Sequence, residues 1–324
     1  MHPTRYVIDR THGLRNLETL HDNVFWGGAE PRISICVPTL RHDVTPLLEG
    51  LAQCEAREAI EIIVYDDGSR DHDLLARMQG SAGHAGAAVR IVSAQNNRGR
   101  AAARNAAIAH ARADWVLLVD ADMTPDTPVF LQAYLDAIDR AGGPAIIVGG
   151  YSLLSAPNDR AYALHRWQAR MSECIPAEER MKAPGRYVFS SNVLVHRDVL
   201  EACPFDESFT GWGWEDTDWG LNAQKLFPIV HIDNTATHLG LDSAAQLMGK
   251  YARSGSNFAR MAARHPDDAA AMPLFRMATR LRAMPFRKSF KWLAADVAKS
   301  ESLPLAVRGR ALKTWRVLVY SEAL

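Results

Sequence analysis

The most informative segment of this chain is Ala113-Asp114-Trp115-Val116-Leu117-Leu118-Val119-Asp120-Ala121-Asp122. Its apolar part is too short for a helix of ordinary length and predicts a buried strand. The strand ends in two carboxylates, Asp120 and Asp122, with one alanine between them. Paired carboxylates at the mouth of a sheet supply oxygen ligands that suit Mg²⁺ or Mn²⁺. The same residues would also suit a turn or a helix cap, so the spacing alone leaves both interpretations open.

Outward from this strand, short apolar segments alternate with segments of helical spacing. Further strands are predicted at 33–37, 60–65, 89–92 and 145–149, and helices at 44–55, 71–79, 100–112 and 127–140, with a loop at 80–88. This alternation predicts an α/β fold with a Rossmann-like, mainly parallel sheet, whose ligands bind beyond the carboxyl ends of the strands. After residue 150 we expect strands at 187–195 and 228–232 and a helix at 216–226. From residue 243 onward the pattern is helical.

Composition indicates an ordinary globular protein with an uneven charge. The 324 residues have a formal net charge of zero, yet residues 276–324 hold 11 Lys and Arg against 3 Asp and Glu. The four cysteines form no Cys-x-x-Cys pair, which argues against a zinc site or a disulfide framework. No segment approaches the length of a membrane span, and the start lacks the apolar core of a signal peptide. We therefore expect a cytoplasmic protein, with the inner face of the membrane as a further location.

Three more motifs follow predicted strands or precede a predicted helix: Val37-Pro38-Thr39, Asp66-Asp67-Gly68-Ser69 and Trp212-Gly213-Trp214-Glu215-Asp216. Together with Asp120-Ala121-Asp122 they resemble the family-two glycosyltransferases, which have the A-type glycosyltransferase fold. The Trp-Gly-Trp-Glu-Asp segment also resembles the galactosyl- and N-acetylgalactosaminyltransferases. The resemblance covers about residues 31–240. It implies an N-terminal extension at 1–30, a nucleotide-binding half at 31–125, an acceptor-binding half at 126–240 and a helical, basic C-terminal region at 241–324.

On the donor side, the resemblance implies a binding site for a UDP-sugar. Pro38 and Thr39 would wrap the uridine, and Asp67 would accept the imide N–H of uracil. Arg104 lies in a segment, Asn97–Asn105, that fits the family's Asn-x-Gly-x-x-x-Ala-Arg-Asn helix, and it would contact the nucleotide or its diphosphate. A plain strand-to-helix turn is the alternative for Pro38 and Thr39.

The resemblance also implies a Mn²⁺ or Mg²⁺ ion as cofactor. Asp122 would bind the metal directly, while Asp120 would hold the ribose or reach the metal through water. His238 lies where a family histidine completes the metal shell, although a single histidine is also common as a structural residue. The metal would offset the charge that grows on the departing nucleoside diphosphate.

On the acceptor side, the resemblance points to the acid pair that opens the helix at 216–226. Asp216 would be the general base that removes the proton of the acceptor hydroxyl, and Glu215 would hold the acceptor. Trp212 and Trp214 offer flat faces for sugar rings, and Asn192 belongs to a loop that resembles the family's acceptor loop. Helix capping by the acids and core packing by the tryptophans are the alternatives. Relatives usually carry Gly where Trp214 stands, so its bulk would narrow the acceptor site.

These assignments describe an inverting, metal-dependent enzyme. It would move a hexose or N-acetylhexosamine from a UDP-sugar to a hydroxyl of a glycan or lipid-linked saccharide, in glycan or polysaccharide synthesis. A sugar nucleotidyltransferase would need a Gly-rich loop and a Lys after the first strand, and Val37-Pro38-Thr39-Leu40-Arg41 has neither. A binding protein without catalysis is the other alternative, against which the joint presence of Asp122, Asp216 and His238 argues.

The basic tail suggests one more partner. Between residues 276 and 292, six cations alternate with large apolar residues. Such a segment suits a helix on an anionic membrane surface, whereas a structural cap with solvated cations is the alternative. Pro285 interrupts the stripe and favours the cap. Nothing else in the chain points to nucleic acid, so we expect no nucleic-acid partner.

Overall fold

The structure is a computed structural model that describes residues 4–6 and 17–324. Its strands are β1 (Thr4–Tyr6), β2 (Leu17–Asp22), β3 (Ile33–Thr39), β4 (Ile60–Asp66), β5 (Ala88–Ala94), β6 (Trp115–Val119), β7 (Met123–Pro125), β8 (Ile146–Val148), β9 (Tyr151–Ser152), β10 (Asn192–His196), β11 (Ile229–His231) and β12 (Ala236–His238). Its helices are α1 (Thr45–Ala52), α2 (His72–His84), α3 (Arg100–Ala109), α4 (Phe130–Ala141), α5 (Ala163–Ser172), α6 (Ala177–Arg180), α7 (Arg197–Ala202), α8 (Glu215–Ala223), α9 (Ala244–Arg253), α10 (Gly255–Arg264), α11 (Pro266–Ala271), α12 (Pro273–Leu281), α13 (Arg287–Lys299) and α14 (Leu305–Ala323).

The described strands form a large mixed sheet and a small one. The large sheet has nine strands in the order β1-β2-β5-β4-β3-β6-β10-β8-β11. Its centre, β5-β4-β3-β6, is parallel, whereas β10 is antiparallel to both β6 and β8. The small sheet, β7-β12-β9, brings β12 beside the segment that follows Asp122. This mixed, mainly parallel α/β architecture with a helical C-terminal region confirms the expected fold class.

The central strands β3, β4 and β6 are buried along nearly their whole length and are mostly apolar, because helices cover both faces of the sheet. Ile33 and Ile35 face one side and pack in a cluster with residues of α1, α2 and α4. Cys36, Ile63 and Tyr65 face the other side and pack with residues of α3, α7 and α8. The sheet therefore holds α3 and α8 on one face, and these are the helices that carry the candidate site.

Helix α2 is longer than its sequence suggests. The expected loop at 80–88 is wrong for its first half, because the helix continues to His84. Leu74, Met78 and Ala82 recur every four residues and form one buried stripe. The small residues after Met78 thus continue the helix instead of ending it.

Two strands also differ from expectation. Strand β2, within the expected N-terminal extension, pairs antiparallel with β5 and extends the large sheet. Strand β10 begins at Asn192 and not near residue 187, because the segment Pro184–Tyr187 forms a turn of 3₁₀ helix. The limits of the expected domains stay a prediction.

The C-terminal helices pack around α14. One apolar cluster joins α14 to α5, α9 and α13, and a second joins it to α8, α10 and α12. In the described part of the chain, no helix is long and apolar enough to cross a membrane. The helical region therefore covers the side of α8 that the sheet leaves open.

Candidate functional site

Arg104 links three carboxylates that come from two distant parts of the sequence. Its guanidinium, 1% exposed, donates to Asp120 and Asp216 at 3.3 Å each and lies 3.8 Å from Glu215 Oε1. The Phe205 ring centroid is 5.6 Å from the guanidinium carbon. Burial alone lowers the pKa of Arg104, but the carboxylates of Asp216, Asp120 and Glu215 raise it above its ordinary value. This permanent cation joins the end of β6 to the start of α8.

The acid pair opens helix α8 from an unusual turn. Trp214, the residue before the helix, has a left-handed backbone with φ of 76°. Asp216 Oδ2 accepts hydrogen bonds from the backbone N–H of Ser190 at 3.0 Å and from its hydroxyl at 2.9 Å. Glu215 is 8% exposed, and its buried Oε2 has no hydrogen-bond partner. Burial and the charge of Asp216 raise the pKa of Glu215, while Arg104 lowers it, and the net direction is upward.

Asp122 and His238 form a second pair at the same edge of the sheet. His238 Nε2 lies 3.1 Å from Asp122 Oδ2, and the buried His238 Nδ1 has no partner. Burial raises the pKa of Asp122, but the hydrogen bond and charge of His238 lower it to about 2. A Cβ atom at Gly240 would overlap the Asp122 carboxylate, so only glycine permits this close approach.

The residues at this edge fit a metal that is bound together with a ligand. The described residues contain no cluster of three or more His, Cys, Asp or Glu side chains able to hold a metal by themselves. Asp122 and His238 supply one carboxylate and one imidazole, and Asp120 instead faces Arg104 and Arg100, the latter at 3.8 Å. Divalent cations in such sites commonly take their remaining ligands from substrate phosphates and water. The donor set therefore fits a cation carried by a diphosphate.

The expected nucleotide-binding residues lie at the ends of β3 and β4. Pro38 and Thr39 end β3, and the Thr39 hydroxyl donates to a neighbouring backbone carbonyl at 2.9 Å. Asp67 is 3% exposed and accepts the backbone N–H groups of Arg98, at 3.0 Å, and Gly99, at 2.9 Å. Burial raises the pKa of Asp67, the two N–H groups lower it, and the net direction is upward. Asp67 thus ties the end of β4 to the start of α3.

Asn192 corrects one expectation. Its side chain is 2% exposed and receives the Tyr134 hydroxyl at 2.7 Å. Its amide nitrogen donates to the carbonyls of Gly150 at 2.8 Å and Asn234 at 2.9 Å. Because Asn192 is the first residue of a buried strand, its amide ties the sheet to helix α4 and cannot reach an acceptor.

The two tryptophans of the acid motif pack against the C-terminal helices. Trp212 meets Tyr251 with ring centroids 5.6 Å apart, and Trp214 meets Phe258 at 4.7 Å. The Trp214 indole N–H also donates to the Tyr320 hydroxyl at 3.3 Å. Both tryptophans remain partly exposed. Each ring thus packs against the C-terminal helices and keeps part of its surface exposed. The contact of these rings with an acceptor sugar stays a prediction.

Sequence reasoning missed two charged groups near the motif. The Arg316 guanidinium of helix α14 lies 5.7 Å from the Trp214 ring centroid. Glu173 follows helix α5, where burial raises its pKa and the charges of His238 and Arg316 lower it, with a net upward direction. For Arg316, the sequence offers one signal, the basic character of the tail. That signal does not identify which of the cations points toward the motif.

The chain matches a known protein family over just over half of its length. Residues 34–202 match the description "Glycosyl transferase family 2". None of the curated protein sequences matches this chain significantly.

Solved structures of two other proteins have the same fold. One is residues 1–349 of TarS from S. aureus, with 14% identity, a TM-score of 0.51, and coverage of 90% of this chain and 91% of that chain. The same protein in complex with UDP-GlcNAc gives 15% identity, a TM-score of 0.50, and the same coverage. The other is the mannosyltransferase PcManGT from Pyrobaculum calidifontis in complex with GDP-Man and Mn²⁺, with 17% identity, a TM-score of 0.53, and coverage of 90% and 86%. At these identities the likeness shows the fold.

Proposed function

Because the chain belongs to glycosyltransferase family 2, we propose that it is an inverting, metal-dependent enzyme. It transfers a hexose or N-acetylhexosamine from a UDP-sugar to the hydroxyl of a glycan or lipid-linked saccharide. The observation that carries this proposal is the Arg104 bridge, which holds Asp120 and Asp216 at 3.3 Å each. It keeps the proposed donor-side acid and the proposed acceptor-side acid close together, as a direct transfer requires.

The donor side is proposed to take UDP. Asp67 lies at a strand end beside Thr39, and its accepted bonds leave lone-pair capacity for an imide N–H. TarS, a protein of the same fold, binds UDP-GlcNAc, whereas PcManGT binds GDP-Man. Both nucleotides therefore belong in any test of the donor.

The metal is proposed to be held by Asp122 and His238. An imidazole ligand favours Mn²⁺ over Mg²⁺, since Mg²⁺ prefers oxygen ligands throughout. When bound, the cation would neutralise charge on the departing diphosphate. PcManGT is a protein of this fold in complex with Mn²⁺.

The acceptor side is proposed to use Asp216 as the base. Its carboxylate accepts three hydrogen bonds, from Arg104 and from two groups of Ser190, which fix its orientation and leave one lone pair. Asp216 takes the proton of the acceptor hydroxyl as that oxygen forms a bond to the anomeric carbon. The bond from this carbon to the diphosphate breaks, and UDP leaves from the opposite face with inversion. We propose that Glu215, next to this base, holds another hydroxyl of the acceptor through its carboxylate, whose Oε2 has no hydrogen-bond partner in the ligand-free protein.

The test is a panel of UDP- and GDP-sugars with and without Mn²⁺. We expect one UDP-sugar to raise the unfolding temperature and to be hydrolysed slowly, both only with Mn²⁺. The Asp216→Asn variant should keep the thermal shift and lose the turnover. Stabilisation without turnover in the wild type would support a binding protein, and release of pyrophosphate from a nucleoside triphosphate would support a nucleotidyltransferase.

We further propose that the C-terminal helices contact an anionic membrane at its inner face. The segment 276–292 exposes Phe286 by 79%, Trp292 by 70% and Met277 by 48%. Phe286 stands at the turn before α13 with a left-handed φ of 58°, an unfavourable conformation for a bulky residue. In this proposal the exposed Phe286 ring enters the membrane interface.

The cations of this segment divide into two groups. Lys291 is paired with Glu322 at 2.5 Å, and Arg287 donates to the Arg282 carbonyl at 2.8 Å, so both serve the fold. Four cations have no ion-pair partner among the described residues, namely Arg276, Arg280, Arg282 and Lys288. At about 1 kcal/mol each, four cations together with inserted aromatics suffice for reversible attachment.

A further inference from the structure

An arginine without a carboxylate partner lies beside the acid motif. The Arg316 guanidinium carbon is 4.3 Å from the ring centroid of Tyr251, 5.3 Å from that of Tyr320 and 5.7 Å from that of Trp214. Its Nε is buried and has no hydrogen-bond partner. Across the described residues, no carboxylate oxygen lies within 4.0 Å of its side-chain nitrogens.

Aromatic rings provide only some of the interactions that an arginine side chain can make. They attract the cation through their faces, but they do not accept the N–H groups that point outward in the guanidinium plane. Covered arginines are normally paired with an acid, because an unpaired buried charge is costly. The planar N–H fork matches a carboxylate or a phosphate through two parallel hydrogen bonds. The Tyr320 hydroxyl also interacts with this guanidinium, but Nε keeps no hydrogen-bond partner. Arg316 therefore retains an unsatisfied donor of the kind that an oxyanion accepts.

The position of Arg316 suggests that its unsatisfied donor serves the acceptor and not the nucleotide. Trp214, which Arg316 flanks, directly precedes Glu215 and Asp216. Arg104, by contrast, is the cation of the donor edge, and it is already occupied by three carboxylates. Glu173 is the one acid whose charge acts on Arg316, and it forms no ion pair within 4.0 Å of the guanidinium among the described residues.

We propose that Arg316, walled by Trp214 and Tyr251, is a subsite for an oxyanion on the acceptor saccharide. The substrate class is then a sugar that carries a carboxylate or a phosphate beside the hydroxyl that is glycosylated. This inference rests on the proposed function, because it assigns the acceptor side of the same cleft. It also gives helix α14 a direct contact with substrate.

The test measures binding of three matched probes to the protein saturated with UDP and Mn²⁺. The probes are methyl glucoside, methyl glucuronide, and methyl glucoside phosphorylated on its primary hydroxyl, titrated by ligand-detected NMR. Arg316→Met keeps an apolar stem against the rings and removes the charge, and Arg316→Lys keeps a point charge without the fork. Arg310→Met, an exposed arginine on the same helix, is the matched control.

We expect one anionic probe to bind the wild type and the control at least about tenfold more tightly than methyl glucoside. Arg316→Met should remove this preference with unchanged UDP affinity, and Arg316→Lys should retain part of it. Whichever anionic probe binds more tightly identifies carboxylate or phosphate as the source of the oxyanion. Equal binding of all three probes to the wild type overturns the subsite, and so does a preference that survives in Arg316→Met.

Two further outcomes are also decisive. If Arg316→Met does not fold, the lysine variant carries the test, and an unchanged preference in it overturns the fork geometry. If UDP does not bind the wild type, the donor proposal fails by itself. Titration of the same probes without UDP then still tests whether Arg316 gives the protein a preference for anionic saccharides.

Discussion

Replacing Arg104 by methionine should destabilise the protein in a way that depends on pH. The variant keeps an apolar stem but leaves Asp120, Glu215 and Asp216 facing one another without the cation that holds them. Removing one partner of a buried ion pair costs about 3–5 kcal/mol. The side chains of Asp120 and Asp216 are 24% and 23% exposed, so water offsets part of that cost, while Glu215 at 8% gains little from it. We therefore expect a loss of about 3 kcal/mol near neutral pH, or about 6 °C in the unfolding midpoint.

The sign of the pH dependence follows from Glu215. Its pKa is already raised in the folded protein by burial and by Asp216, and Arg104 is the largest influence that lowers it. Without Arg104 the folded pKa rises further above the unfolded value. A group with a raised folded pKa contributes stability that is present below its unfolded pKa and is lost as pH rises through its folded pKa. The variant should thus resemble the wild type at about pH 4.5 and fall progressively behind it toward about pH 8.

The assay is thermal or urea unfolding of both proteins across this pH range. Arg32→Met is the control, since Arg32 pairs with Asp139 at the surface and should cost no more than about 1 kcal/mol at any pH. Adding Glu215→Gln to Arg104→Met should recover part of the loss at high pH. A destabilisation of equal size at both ends of the range would refute the reasoning, because it would show that Arg104 acts through packing alone.

Three further predictions address the remaining parts of the proposal. Asp122→Ala should weaken UDP binding in the presence of Mn²⁺ by at least about tenfold in calorimetry, and an unchanged affinity would remove this residue from the metal site. Asp216→Asn should bind the donor normally and lose transfer by about 10²–10⁴-fold, whereas near-normal turnover would make Asp216 a helix cap. Phe286→Ser with Trp292→Ser should abolish salt-sensitive cosedimentation with anionic liposomes, and Leu154→Ser, at an equally exposed leucine (79%), should not. Binding of the wild type to neither anionic nor neutral liposomes would leave the tail a structural cap.

The sequence predicts well what depends on local periodicity. The central strands are mostly apolar, and a continuous apolar run such as 115–119 can be placed without knowledge of its neighbours. The acids that follow these strands are also predictable, because parallel strands end at the same edge of a sheet. Asn192 shows where this reasoning fails: a polar residue beside a strand looks accessible, yet its partners are Tyr134 and two distant backbone carbonyls.

Arg104 and Arg316 show a second limit. Both belong to segments that are rich in arginine, and helical spacing alone does not say which cation is buried. Arg104 is 1% exposed because its partners at positions 120, 215 and 216 come from two other elements. Arg316 turns inward because Tyr251 and Trp214 form a wall there. These contacts join distant parts of the chain, and a single sequence carries no record of them.

The helical C-terminal region packs on helix α8, although it carries no recognisable motif. Leu221 of α8 packs in one cluster with Phe258 and Val317. Asn257 donates to the carbonyls of Thr210 at 3.0 Å and Gly213 at 3.1 Å, on the loop that leads into the acid pair. The sheet fixes only the opposite side of α8, through the cluster that contains Trp219 and Ala223. Base geometry must hold within a fraction of an ångström for proton transfer. Under the proposed role of Asp216, residues 241–324 would therefore support the reaction by holding this loop from outside.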